Sequence, residues 1–233
     1  MIKAVFFDFY NTLVRFWPLV EEVQALACRE IGVDVEKEAI RHGYREADDF
    51  FNQENSRDPL FQRTEEERDL FFARYEQLIL RGAGVEVTPS LAHRIWEITT
   101  LIPKSFEPFD DVSSTLSAWK NKGLILGVLS NLDRDMGALV EDLGCGVYLD
   151  FCITSKEVGA GKPHPPIFRA ALERSGVAPH EAVHVGDQLH SDVEGAKRMG
   201  ITPVLLDREG WHPSLNGLLR VRSLSEVALV VGL

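Results

Sequence analysis

Three stretches of this chain end an apolar run in residues able to do chemistry. Ala4-Val5-Phe6-Phe7 leads into Asp8, with Tyr10 and Thr12 close behind; Leu124-Ile125-Leu126-Gly127-Val128-Leu129 leads into Ser130-Asn131; Ala182-Val183-His184-Val185 leads into Gly186-Asp187, with Asp192 shortly after. Between the last two lies Gly161-Lys162-Pro163-His164-Pro165-Pro166, which holds a lysine in a stiff turn. Runs rich in Val, Leu and Phe that close on polar residues predict buried parallel strands with functional groups at their C-terminal tips. Ligands of open α/β sheets bind at that edge. Taken singly, each residue has a plainer alternative: Asp8 and Asp192 are of the type that caps a following helix, and a lysine in a turn is ordinarily solvated. Three such tips in one chain, with the lysine between them, favour a shared site.

The elements that must position these groups follow from periodicity. From Arg15 to about Leu101 the spacing is helical: Leu19, Val23, Leu26, Ala27 and Ile31 share a face, and Gly32 stops that run. Thr64 with Glu67 forms a capping-box pattern, opening a helix through Leu70, Phe71, Tyr75, Leu78 and Ile79. A further helix is expected after Thr88-Pro89, giving four in all, and the polar, proline-containing stretch 52–62 is expected to be a mobile connection. From Phe106 onward strands and helices alternate, with helices predicted over 112–121, 136–143, 166–175 and 192–199, further strands over 151–154 and 202–206, and a closing helix over 224–229. The predicted architecture is α/β: a doubly wound parallel-sheet, Rossmann-like core from 1–14 and 104–233, interrupted by a helical segment over 15–103.

Asp8, then Ser130-Asn131, then Lys162-Pro163, then Gly186-Asp187 with Asp192 resembles, in order and spacing, the four motifs of the haloacid dehalogenase superfamily. The resemblance spans nearly the whole chain. It implies that 15–103 is a helical-bundle cap, of the kind that closes over small substrates, and that Asp8 is a nucleophile forming a covalent aspartyl intermediate. It further implies that Thr12 and Ser130 hold anionic oxygens, with Asn131 in the same motif, and that Lys162 balances the charge of Asp8 and the transferred group. Asp187, with Asp8 and the backbone carbonyl of Tyr10, would complete a hard-oxygen site for Mg²⁺, and Asp192 would stand behind it, supporting the metal or Lys162. The haloacid dehalogenases proper carry Ser and Asn in place of the first of these aspartates and need no metal, so Asp187 favours a phosphatase acting on a small phosphorylated metabolite. Tyr10 points the other way. Phosphatases of the family carry a second Asp there, and a phenol with an ordinary pKa of ~10 is a poor general base at neutral pH. Metal-independent 2-haloacid dehalogenation and a catalytically weak binding protein on this scaffold are the alternatives.

Composition narrows the partners. A formal charge of −11 over 233 residues argues against nucleic acid or an anionic membrane, both of which reward clustered Lys and Arg. Three cysteines without metal-type spacing predict reduced thiols in a cytoplasmic setting. The N-terminal apolar run is too short for a signal peptide. His164, His184 and His190 are scattered unlike a metal triad and are expected to be peripheral or structural. Trp17, Phe50, Phe51 and Phe61 are candidates for the pocket lining, as Arg15, Arg41 and Arg45 are for gripping a substrate anion. The sequence leaves the substrate and the oligomeric state open.

Overall fold

Eight strands follow one another along the chain in the computed structural model, which describes every residue except 133 and 213–216: β1 Ala4–Phe7, β2 Val14–Trp17, β3 Ser105–Pro108, β4 Ile125–Ser130, β5 Phe151–Thr154, β6 Ala182–Gly186, β7 Thr202–Leu206 and β8 Leu219–Val221. Among the described residues, six of them form one sheet in the order β5-β4-β1-β6-β7-β8, with its neighbours parallel, and β2 pairs with β3 in a two-stranded ribbon. The chain winds from β1 outward through β4 to β5, then returns to β6 and winds the other way. The strand order therefore reverses beside β1, and the crevice at such a reversal lies outside the strands' C-terminal ends.

Register decides what meets there. Phe7 stands opposite Val128 on one side and Val185 on the other, so one residue further on Asp8 emerges level with the ends of β4 and β6. The Asp8 amide donates to the Val185 carbonyl at 2.9 Å, which extends the ladder to the carboxylate itself. Both faces of β1 are covered, as parallel strands require. Phe6 joins Leu129, Ile153, Ile167 and Phe168 in a buried cluster on one face, while Phe7 stacks on Trp119 on the other, 5.9 Å between ring centroids. The alternation follows from the two-residue period of a strand.

The helices at Val112–Asn121, Met136–Asp142 and Pro165–Ser175 lie where periodicity predicts them. Residues 192–199 differ: a π-helical turn, Leu189–Glu194, precedes a short helix, Gly195–Arg198. Its cause is local, since the Val193 amide reaches back to the Gln188 carbonyl while the Asp192 carboxylate accepts the Gln188 amide. Strands β2, β3 and β8 each carry a charged residue, Arg15, Glu107 and Arg220, that breaks the apolar run by which the other strands show in the sequence.

The chain divides into two compact units, Met1–Arg15 with Glu107–Leu233, and Phe16–Phe106. The second unit holds α1 Val20–Glu30, α2 Lys37–Arg57, α3 Glu65–Gly82 and α4 Pro89–Leu101. Thr64 and Glu67 form the reciprocal capping box at the start of α3, and Thr88 caps α4. The connection expected over 52–62 is largely helix instead, because α2 continues to Arg57. Phe50 and Phe51 anchor this end of α2 against Phe71 and Tyr75, and that apolar contact overrides the weak helix preference of Asn52 and Asn55. Leu26 and Leu70, expected on buried faces, are 52% and 66% exposed, while Gln24 and Glu76 take the interior. No described helix is long and apolar enough to cross a membrane.

Candidate active site

At the C-terminal edge of the sheet, Lys162 is buried between two carboxylates. Its Nζ donates to Asp8 Oδ1 at 2.5 Å and to Asp192 Oδ1 at 2.6 Å. Burial works against the ammonium charge, but Asp192 and Asp8 outweigh it and hold the lysine protonated well beyond its ordinary range. Burial pushes the Asp8 carboxyl up to about 6, with Lys162 opposing the rise and Asp192 adding to it. Asp192 moves the opposite way: burial also penalises its charge, yet Lys162 and the bond from His184 prevail and keep it ionised. The difference follows from the number of donors. Asp192 Oδ1 receives Lys162 and pairs with His184 Nε2 at 2.9 Å, while its Oδ2 accepts the Gln188 amide at 3.0 Å.

Two glycines make this packing possible. A Cβ on Gly186 would lie 2.2 Å from Asp192 Cγ, so the residue before Asp187 must be glycine for Asp192 to approach the strand tip. A Cβ on Gly161 would lie 2.4 Å from Asn131 Oδ1. That side chain brackets the lysine's own backbone, accepting from Lys162 N at 2.8 Å and donating to its carbonyl at 3.0 Å. Asn131 thus braces the Lys162 turn. Ser130 is 1% exposed, and its Oγ accepts the Leu132 amide at 3.1 Å. Thr12 is wholly buried, with no hydrogen-bond partner at Oγ1. Tyr10 is half-buried and forms an isolated bridge with Val14 across the turn after β1.

Oxygens of Asp8, Asp187 and Asp192 lie within 4.8 Å of one another. Lys162 pairs with two of these carboxylates, and burial lowers the pKa of His184 beside them. An all-oxygen donor set of this kind suits a hard divalent cation.

Of the other candidates, His184 stands out as a contact to Asp192 that its position on β6 conceals in the sequence. His164 is exposed, and His190 pairs with Glu194 at 3.2 Å. In the helical unit, Phe50 and Phe51 belong to an apolar cluster, whereas Trp17 and Phe61 are exposed. Arg41 pairs with Glu21 at 2.7 Å and Arg45 is exposed; Arg15 lies 3.7 Å from Glu107 in the core unit. The sequence pattern missed Arg208 and Asp111, which meet beside the Asp8 turn.

Sheet order, the four motifs at one edge and the buried lysine between carboxylates together define a hydrolase of a single superfamily. The chain belongs to the haloacid dehalogenase-like hydrolases, whose profile matches residues 2–200. It is 33% identical over 215 residues to a glyceraldehyde 3-phosphate phosphatase of Methanopyrus kandleri, covering 89% of this chain and 85% of that one. It is 30% identical over 215 residues to a ribulose-1,5-bisphosphate 5-phosphatase of Halopiger xanaduensis, with the same coverage, 89% and 85%. The structure of a 2-haloacid dehalogenase from Pseudomonas syringae pv. Tomato superposes with a TM-score of 0.60 at 26% identity, over 100% of this chain and 99% of the other.

Proposed function

We propose that this hydrolase is a Mg²⁺-dependent phosphatase of a small phosphorylated metabolite, working through an Asp8 phosphoenzyme. The observation that carries the reading is the gathering of Asp8, Asp187 and Asp192 at one sheet edge, with Lys162 paired to two of them, since such an all-oxygen donor set is the kind a hard divalent cation takes. Asp8, Asp187 and the Tyr10 carbonyl would hold that cation, with Asp192 supporting Lys162 behind. Bound there, Mg²⁺ supplies the positive charge that lets a phosphate dianion approach a carboxylate.

An Asp8 oxygen forms a bond to phosphorus as the ester P–O bond breaks, its electron pair leaving on the alcohol oxygen. Lys162 neutralises charge on Asp8 and the transferred group. The alcohol takes its proton from the Tyr10 phenol or from solvent. Water then attacks phosphorus as the O–P bond to Asp8 breaks, one water proton passes to solvent or restores the Tyr10 phenol, and inorganic phosphate leaves with the Asp8 carboxylate regenerated. The phosphatase names of the Methanopyrus and Halopiger relatives support phosphoryl transfer. Tyr10 and the dehalogenase neighbour favour the second reading, halide displacement from 2-haloacids, against which the carboxylate at Asp187 weighs.

The test is release of phosphate from aryl and sugar phosphates, and of halide from 2-haloacids, with and without Mg²⁺. Metal-dependent phosphate release is expected, and Asp8→Asn should abolish it while the circular dichroism spectrum stays unchanged. Halide release without metal, and no phosphate from any ester, would overturn the proposal.

A further inference from the structure

The turn that carries Asp8 out of β1 is held by a guanidinium from the loop after β7. Within the turn, Asn11 stands at φ 59, the Asn11 amide donates to the Val14 carbonyl at 2.7 Å, and the Leu13 and Val14 amides return to the Phe9 carbonyl at 2.9 and 3.1 Å. The Thr12 carbonyl accepts from Arg208 Nη2 at 2.9 Å, across 196 positions of sequence. The same guanidinium grips Asp111 with both Nη atoms, at 2.9 and 3.0 Å, and lies 3.9 Å above the centroid of the Phe109 ring. Phe109 is itself tied to the turn, its amide donating to the Leu13 carbonyl at 3.0 Å. One planar group thus joins three segments: the turn after β1, the stretch leading out of β3, and the loop after β7.

Arg208 is well placed to be rigid. It is the second residue after β7, and the preceding Asp207, 5% exposed, gathers the loop by accepting the Trp211 amide at 2.8 Å, the His212 amide at 3.0 Å and Arg220 Nη1 at 3.1 Å. Asp111 is fixed independently, since its Oδ2 also accepts the Leu224 amide at 2.7 Å. A left-handed residue such as Asn11 needs its neighbours to hold the turn in place.

We propose that Arg208 is a positioning residue for the catalytic turn: by binding the Thr12 carbonyl from a fork anchored on Asp111 and Phe109, it fixes Asp8 and Thr12 relative to Lys162. The proposal rests on the reading of Asp8 as the nucleophile. A lysine cannot replace the arginine here, because one ammonium cannot serve a bidentate carboxylate and a carbonyl from a stacked plane.

The experiment compares wild type, Arg208→Lys, Arg208→Met and Asp111→Asn, each checked for folding by circular dichroism, using p-nitrophenyl phosphate with Mg²⁺ and amide hydrogen exchange of peptides covering residues 9–14. Displacement of a reacting group by about 1 Å costs on the order of 100-fold in rate, so kcat is expected to fall by roughly 10- to 100-fold in both Arg208 variants with KM nearly unchanged. Exchange in 9–14 should quicken while peptides from β4 and β6 hold their protection. Folded Arg208→Lys with wild-type kcat, or wild-type exchange in 9–14 for the variants, would overturn the proposal. If the wild type hydrolyses no phosphate ester, the functional reading fails, and the exchange measurement still decides whether Arg208 holds the turn.

Discussion

Glu76 sets a measurable penalty inside the helical unit. It has no solvent exposure; its Oε1 accepts from Gln24 Nε2, and its Oε2 has no partner. Burial pushes its carboxyl from 4.5 up to about 8, with the Gln24 bond opposing part of the rise. A folded-state value above the unfolded one means that the folded chain holds a proton the unfolded chain has lost. The stabilisation is therefore complete below pH 4.5 and drains away as pH rises toward 8. Integrated between pH 6 and pH 8, the loss from this one group is about 2 kcal/mol. Glu76→Gln is a neutral isostere of the protonated acid and keeps an acceptor for Gln24. Urea unfolding of wild type and variant, followed by the fluorescence of Trp96, which stacks on Phe72 in the same unit, should show the variant gaining on the wild type by that amount as pH rises from 6 to 8. Other titrations occur in both proteins and cancel in the difference. A gap between the two that stays constant across this range would refute the argument, because Glu76 would then be ionised or neutral throughout.

Three further outcomes are expected from the core. Added Mg²⁺ should raise the melting temperature of the wild type and leave Asp187→Ala unmoved in calorimetry; equal shifts would remove Asp187 from the cation site. Gly186→Ala forces a methyl to within 2.2 Å of Asp192 Cγ, so it should cost roughly 1–3 kcal/mol in urea unfolding and lower phosphatase activity by displacing Asp192 from Lys162. Tyr10→Asp should raise hydrolysis of alkyl phosphates more than of aryl phosphates, since only the poorer leaving group needs a proton and such help is worth ~10²–10⁴-fold; equal loss on every ester, with the fold intact, would make Tyr10 a substrate contact instead.

The sheet was legible because its signal is local. β1, β4 and β6 are short, largely apolar runs that end in polar residues, as a parallel strand buried on both faces reads. The capping box at Thr64 and Glu67 is likewise four residues long and complete in itself. The helical face of α1 was harder, because the periodicity that gathers Leu19, Val23 and Ala27 also admits Leu26, and only the partner helices decide that Gln24 faces inward to meet Glu76 while Leu26 faces solvent. A buried polar pair leaves no mark on a hydrophobic pattern. The extension of α2 to Arg57 was hidden for a related reason: Asn, Asp and Ser suggest a loop until Phe50 and Phe51 find Phe71.

The candidate site residues, Asn131 and Asp192 among them, were visible by type, and the pairings that hold them were not. Asp8, Lys162, Asp187 and Asp192 announce themselves by type at strand tips and turns, whereas their supports depend on pairings between distant positions. Asn131 grips the backbone of Lys162 from 31 residues away, and Arg208 reaches Asp111 across 97. His184 lies only eight residues before Asp192, yet on a strand its ring reads as one more inward side chain. These supports are needed because Lys162 is 2% exposed between carboxylates 1% and 14% exposed. A buried ammonium between two carboxylates is favourable only while every member stays in place, since any shift leaves a charge unpaired in a poor solvent. Keeping that lysine beside Asp8 requires distant contacts that local patterning cannot reveal.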